Sequence, residues 1–208
     1  MKADQSIVLG IESAVEGGSI SVFADGLEIL SRSGNGTVAR AEELLPAIHS
    51  ILQELNMIAR DIDTIVVSTG PGSYTGIRVG IATVLGLRTA LQVRCVGISA
   101  LQAMALSDND LNDVIAAVPM GRNMVCSQMF RKRRPPGQPE VSTFEELAAS
   151  IDEFDGKALL HKTIYDQLTV VDRPTILGLG YNLASYIAAA ANTEYVNEDL
   201  SPVFVERK

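Results

Sequence analysis

Tryptophan is absent from this chain of 208 residues, and all aromatics together make up 5% of it. Whatever core the chain builds is therefore aliphatic. Cysteine is scarce as well: Cys95 and Cys126 form neither a disulfide framework nor a metal-binding spacing. Two free thiols fit a reducing compartment. No apolar run approaches the roughly 18 residues that a membrane helix needs. The opening stretch MKADQSIVLG contains no long apolar segment of the signal-peptide kind. Positive charge is short too, with 17 Lys and Arg against 25 Asp and Glu, a net charge of −8. Such a surface repels nucleic-acid phosphates unless a local basic patch overrides it. The expectation is a soluble, cytoplasmic protein with no membrane contact.

What is present is alternation of strand and helix signals. SIVLGIES (6–13) reads as a buried strand ending at an acid, and GSISVFADG (18–26) with LEILSRSG (27–34) as a hairpin turned at Asp25-Gly26. VARAEELLPAIHSILQELNM (38–57) places Leu44, Leu45, Ile48, Ile51, Leu52 and Leu55 at helical spacing, with Pro46 near the first turn or at a kink. DTIVVSTG (63–70) and VRCVGIS (93–99) read as strands, and a short helix follows at 99–106. The acidic stretch SDNDLND (107–113) marks the boundary between two α/β lobes of similar plan, 1–106 and 107–208, with the tail packing back on the first. In the second half, 114–130 reads as two strands around Gly121. Helices are expected from 142–151, capped by Ser142 or Thr143, and over 182–192, with a strand at 174–180.

The segment STGPGSYTGIRVGIATVLGLRTAL (68–91) carries five glycines. It is no Walker A loop, because Ile77 follows Gly76 and no lysine occurs in the segment. It is no dinucleotide loop either, because Thr75 stands where the third glycine belongs. Gly70-Pro71-Gly72 makes a turn, Ser73 or Thr75 caps a helix, and that helix is apolar on both sides, with Arg78 and Arg88 its only charges. A helix apolar all round is covered all round, here by its own sheet and by a second helix or chain. Gly76 and Gly80, and Ala82, Gly86 and Ala90, form small-residue rows that permit close backbone approach. Gly80 and Gly86 together cost on the order of 2 kcal/mol against Ala, and close contact is what offsets it.

The run Gly70-Pro71-Gly72-Ser73-Tyr74-Thr75-Gly76-Ile77-Arg78-Val79-Gly80 resembles the signature of the TsaB family. Residues 8–23, 41–57 and the tail SPVFVERK add to the likeness, which is specific in the first half and faint in the second. The resemblance implies a degenerate, two-lobed, actin-like (ASKHA, ribonuclease H-like) ATPase fold. It implies a non-catalytic subunit that docks a TsaD-like catalytic subunit, joined by a TsaE-like ATPase, and that also pairs with itself. The assembly would make N6-threonylcarbamoyladenosine at position 37 of tRNAs reading ANN codons, with tRNA met only through the complex. The family's docking helices correspond to the first two helices here, giving as interface residues Leu45, Ile48, His49, Leu52, Gly76, Arg78, Val79, Gly80, Thr83 and Leu87.

Two departures bear on chemistry. The family's first strand ends Asp-Thr, whereas this one ends Glu12-Ser13, a candidate remnant of a nucleotide site. Where relatives show Asp-Ala-Arg, this chain has Val118-Pro119-Met120. The His-x-x-x-His metal pair of TsaD-like proteins is missing, since the two histidines, His49 and His161, lie far apart. No H-E-x-x-H or G-x-S-x-G occurs, so neither a metallopeptidase nor a small-molecule kinase is the favoured reading, and no catalytic residue, metal or cofactor is expected. The one basic block, Arg131-Lys132-Arg133-Arg134, is a candidate tRNA contact on a charged loop.

Overall fold

The computed structural model describes residues 5–33, 41–121, 123–168 and 175–206. Ten strands form two sheets of five. The first holds β1 (Ile7–Glu12), β2 (Ser19–Ala24), β3 (Leu27–Ser33), β4 (Thr64–Ser68) and β5 (Arg94–Ile98), in the order β3-β2-β1-β4-β5. The second holds β6 (Val114–Pro119), β7 (Met124–Phe130), β8 (Glu140–Thr143), β9 (Lys157–His161) and β10 (Ile176–Leu179), in the order β10-β9-β6-β7-β8. In each sheet the middle strand pairs antiparallel with a hairpin on one side and parallel with a crossover strand on the other. The two halves thus repeat one plan. β1, β4 and β6 are buried at every position, as their unbroken apolar runs require of strands covered on both faces.

Among the described residues six α-helices cover the sheets. α1 (Ala41–Glu54) and α2 (Tyr74–Leu91) close one face of the first sheet over Leu9, Ile11, Ile65 and Val67, with Leu44, Ile48, Ile51 and Leu52 of α1 and Val84 of α2 pointing inward. Pro46 lies inside α1, on its exposed side. α3 (Ala100–Leu106) belongs to the first half but packs on the second sheet through Leu101 and Met104. α6 (Leu183–Ala189) belongs to the second half but packs on the first sheet, with Ile187 and Ala188 against Val8, Phe23 and Val66. The expected division after residue 106 therefore separates two sheets that exchange a helix each. The alanines of α6 have a steric reason: a Cβ on Gly10 of β1 would stand 2.8 Å from the Ala188 Cβ. α4 (Phe144–Asp152) and α5 (Lys162–Gln167) cover the outer face of the second sheet.

Most expected elements appear within two or three residues. The first residues of the helix expected at 38–57, residue 34 of the hairpin and residue 174 of the later strand lie outside the described residues, as do residues 1–4 and 207–208. β8, β9 and α5 were not foreseen. β9 is the short run KALLH, which has neither alternation nor a turn signal after it, and α5 follows it directly. Among the described residues no helix is long and apolar enough to cross a membrane.

The chain itself covers one side of α2, and among the described residues none covers the other. Gly76, Ile77, Gly80 and Val84 are buried, while Thr75, Arg78, Ala82, Leu85, Gly86, Thr89 and Ala90 are exposed on the other side. The two interior glycines consequently differ in kind. A Cβ on Gly80 would fall on the Ser13 hydroxyl and stand 3.3 Å from Val67 Cγ2, whereas nothing lies within 4 Å of one on Gly86. Gly86→Ala is expected to stabilise the protein by up to about 1 kcal/mol. Gly80→Ala is expected to destabilise it by about 1–3 kcal/mol through overpacking. Urea unfolding of the two variants beside the parent checks both signs.

Candidate functional site

The end of β1 and the start of α2 are built into each other. Ser73 caps α2, its Oγ accepting from the Gly76 amide at 3.3 Å, and its own amide donates to the Ala14 carbonyl at 2.7 Å. The Ser13 hydroxyl donates to the Gly76 carbonyl at 2.8 Å. A Cβ on Gly76 would fall on the Ser13 carbonyl and stand 2.8 Å from Ala14 Cα. Only glycine lets the loop after β1 come this close to the helix. Gly76 and Gly80, expected at a partner interface, therefore face inward and are filled by Ser13 and Ala14 of the same chain. The close approach foreseen for them is made, but within the molecule.

The other expected interface residues divide in the same way. Ile48 and Leu52 are buried in the first core and are corrected to inward positions. Leu45, 50% exposed, lies on the outer surface of α1, where His49 is exposed too. Arg78 is exposed, and Val79, Thr83 and Leu87 are half-buried on the flanks of α2. Tyr74 and Phe204 were not anticipated: their rings stack with centroids 4.7 Å apart, and the Arg78 guanidinium lies 3.9 Å from the centre of the Tyr74 ring. The tail that brings Phe204 there is held by the Val203 amide donating to the Thr69 carbonyl at 2.8 Å. Its anchor was legible only as an extended run at the end of the sequence.

A second locus is a cavity of about 800 Å³ between the two sheets. It is lined by Ser13 to Gly17, by Gly72 and Ser73, and from the second half by Pro119, Met120, Gly121, Asn123, Phe144, Thr163 and Gln167. Strand ends of both sheets open into it, the usual position for a ligand in an α/β sheet. Glu12, a candidate for a remnant nucleotide site, does not line it. Its buried carboxylate turns back into its own loop, where Oε1 accepts from the amides of Ala14 at 2.6 Å and Val15 at 2.9 Å. Ser13 lines the cavity, but its hydroxyl is given to Gly76. Four amides of these loops are thus occupied: Ala14 and Val15 by Glu12, Gly18 by the Val15 carbonyl, Ser73 by the Ala14 carbonyl. The charged group among the described lining residues is a carboxylate, Glu16, which accepts from Thr163 Oγ1 across the cleft at 3.3 Å. Residue 122, beside Gly121, lies outside the described residues. The described lining offers a polyphosphate no cation.

His161 is fully buried at the end of β9. Burial pushes its pKa down to about 4, its Nδ1 accepts from the Thr163 amide at 3.3 Å, and its ring meets Tyr181 edge-on. It is a neutral packing residue that caps α5. Among the described residues no three His, Cys, Asp or Glu side chains converge on a metal-sized site.

The basic loop is tied to its own chain. Arg133 donates to the Asp108 carbonyl at 3.0 Å and accepts at its own carbonyl from Gln102. Arg131 lies 4.0 Å from Asp113 and Arg134 3.8 Å from Glu194. Lys132 is exposed. The loop is therefore partly neutralised from within.

The family model described as TsaD, tRNA N6-adenosine threonylcarbamoyltransferase, matches residues 37–134. The tRNA threonylcarbamoyladenosine biosynthesis protein TsaB of Bacillus subtilis (strain 168) is 34% identical over 74 residues, 36% of this chain and 32% of that protein. The protein of the same name from Escherichia coli (strain K12) is 29% identical over 119 residues, 53% of this chain and 49% of that one. The chain thus spans half the length or less of these curated relatives. The solved structure of YeaZ from Pseudomonas aeruginosa superposes with a TM-score of 0.67 at 23% identity, covering 96% of this chain and all of that one. The shared architecture is an α/β fold, here two five-stranded mixed sheets with helices.

Glu12 sets a pH dependence. Burial pushes its pKa from 4.5 up to about 7, against the opposing pull of the Val15 and Ala14 amides. The folded protein then holds a proton that the unfolded chain has released, so stability falls as pH rises between those values, by up to about 1.4 kcal/mol per pH unit. Below that window the carboxyl is protonated in both states, and above it the full loss has been incurred. Chemical denaturation from pH 4.5 to 8 is expected to show this slope in the difference between the parent and Glu12→Gln. A difference that stays constant across the range contradicts it.

Proposed function

We propose that this chain, which is similar to TsaB and YeaZ proteins, is the docking, non-catalytic subunit of the cytoplasmic assembly that makes N6-threonylcarbamoyladenosine at position 37 of tRNAs reading ANN codons. The reading is supported by likeness to proteins named for threonylcarbamoyladenosine biosynthesis. One observation carries the docking role. A long helix that its own chain has packed with glycines on one side leaves an apolar surface exposed on the other, with Ala82, Leu85 (38% exposed), Gly86 and Ala90 in line. Nothing stands within 4 Å of a Cβ at Gly86. Leu45 and His49 are exposed on α1, which packs beside α2.

In this reading the occupant is a TsaD-like catalytic subunit, a TsaE-like ATPase joins the pair, and self-pairing is a separate state of the free chain. Transfer chemistry belongs to the catalytic subunit. This is consistent with a cleft whose described lining holds one carboxylate and whose loop amides are already bonded. Contact with tRNA falls to the assembled complex, in which Lys132 and the outer faces of Arg131 and Arg134 are the available cations of the basic loop.

The test is to mix the purified chain with the TsaD-like protein of its own organism on a size-exclusion column. Co-elution is expected, and separate elution counts against the proposal. Gly86→Arg is expected to keep the fold and to weaken the complex at least about tenfold, or about 1.4 kcal/mol.

A further inference from the structure

The outer surface of α2 has a sign. Its 18 residues contain no Asp or Glu, although the chain as a whole carries a net charge of −8. Arg78 and Arg88 are its only charges, and both are exposed. Among the described residues neither forms an ion pair. Arg78 instead lies on the Tyr74 ring, which Phe204 supports from the tail. This ladder borders a groove of about 400 Å³ lined by Tyr74, Thr75, Arg78, Val79, Ala82 and Thr83. Tyr74 and Phe204 are 52% and 44% exposed, so part of this aromatic stack remains open beside the cation.

We infer that this groove and the two arginines select an acidic helical surface on the catalytic subunit, and that the tail, through Phe204, is part of the docking surface. The inference rests on the docking role proposed above and specifies the chemistry of its partner. Ten residues of helix separate the arginines by about 15 Å along the axis. The occupant therefore presents apolar side chains to the middle of α2 and carboxylates near both ends.

Charge also discriminates between occupants. A two-fold contact of α2 with a copy of itself, running antiparallel and centred on Thr83, sets Arg78 of one chain opposite Arg88 of the other. No acid on either helix offsets the repulsion. An isologous interface repeats every such conflict twice. A different chain with carboxylates at those places turns both conflicts into ion pairs, which act on association rate and on partner choice.

The experiment measures binding of the chain to the catalytic subunit by isothermal titration at 50 and 300 mM NaCl. It uses the parent and Arg78→Glu, Arg88→Glu, Arg78→Lys and Phe204→Ala, each checked for folding by circular dichroism. Each charge reversal is expected to weaken binding at least about tenfold, Arg78→Lys to keep binding within about threefold, and Phe204→Ala to lose about three- to tenfold. The parent is expected to bind more weakly at the higher salt. Should Arg78→Glu disturb the Tyr74 stack, Arg88→Glu, which has no part in it, reads the charge alone. Reversals that bind like the parent overturn this inference and leave the docking role standing, whereas a parent that does not bind at all overturns both. A homodimer of the chain alone whose association either reversal changes assigns the groove to a second copy and also overturns the inference.

Discussion

The contact between Ser13 and the first two turns of α2 is the constraint on which the rest depends. Gly76 and Gly80 have no side chains, so the loop after β1 lies directly against the helix, and the Ser13 hydroxyl is spent on the Gly76 carbonyl. The helix cannot rotate about its axis without driving a Cβ-bearing residue into that loop. Which residues face out is thereby settled: the strip from Thr75 through Arg78, Ala82 and Gly86 to Ala90 is left on the surface. The same contact takes the loop after β1 away from ligand chemistry. With Glu12 bonded to Ala14 and Val15, that loop is a structural joint beside the cavity.

The repeated sheet plan explains why a joint occupies that place. Both sheets direct the ends of their parallel strands toward one cleft, and α3 and α6 are exchanged across it, so that each sheet is completed by a helix from the other half. Such an arrangement places the two halves firmly, as a catalytic cleft requires. It also supports the outward helices α1 and α2. The tail crosses back to the first half, bonds Thr69, and sets Phe204 on the Tyr74 ring at the beginning of α2.

Periodicity and turn chemistry made most of the architecture legible. Buried parallel strands read as continuous apolar runs, the Asp25-Gly26 turn marked the hairpin, and Thr143 with Glu146 closed a capping box at the start of α4. What escaped were elements whose signals depend on tertiary partners. β9 is a lysine, three apolar residues and a histidine, a strand only because β6 and β10 flank it. The facing of α2 escaped for a different reason. Composition showed small and apolar residues on every side, and no pattern along a single chain distinguishes a glycine filled by Ser13 from a glycine open to solvent. The same limit applies to Ile48 and Leu52, whose helical spacing was read correctly while their direction, into the first core, was not.

The sidedness of α2 is the central claim, and an Ala82→Cys variant tests it most directly. The two native thiols are poor competitors: burial pushes Cys126 up to about 12 and raises Cys95 as well. The introduced thiol lies in the groove on the exposed strip. Its rate of labelling by a neutral maleimide at pH 7 is then measured with and without a saturating amount of the TsaD-like subunit. The account predicts rapid labelling of the free chain and near-complete protection in the complex. A complex that forms while the introduced thiol reacts at its free rate would show that the partner lies elsewhere.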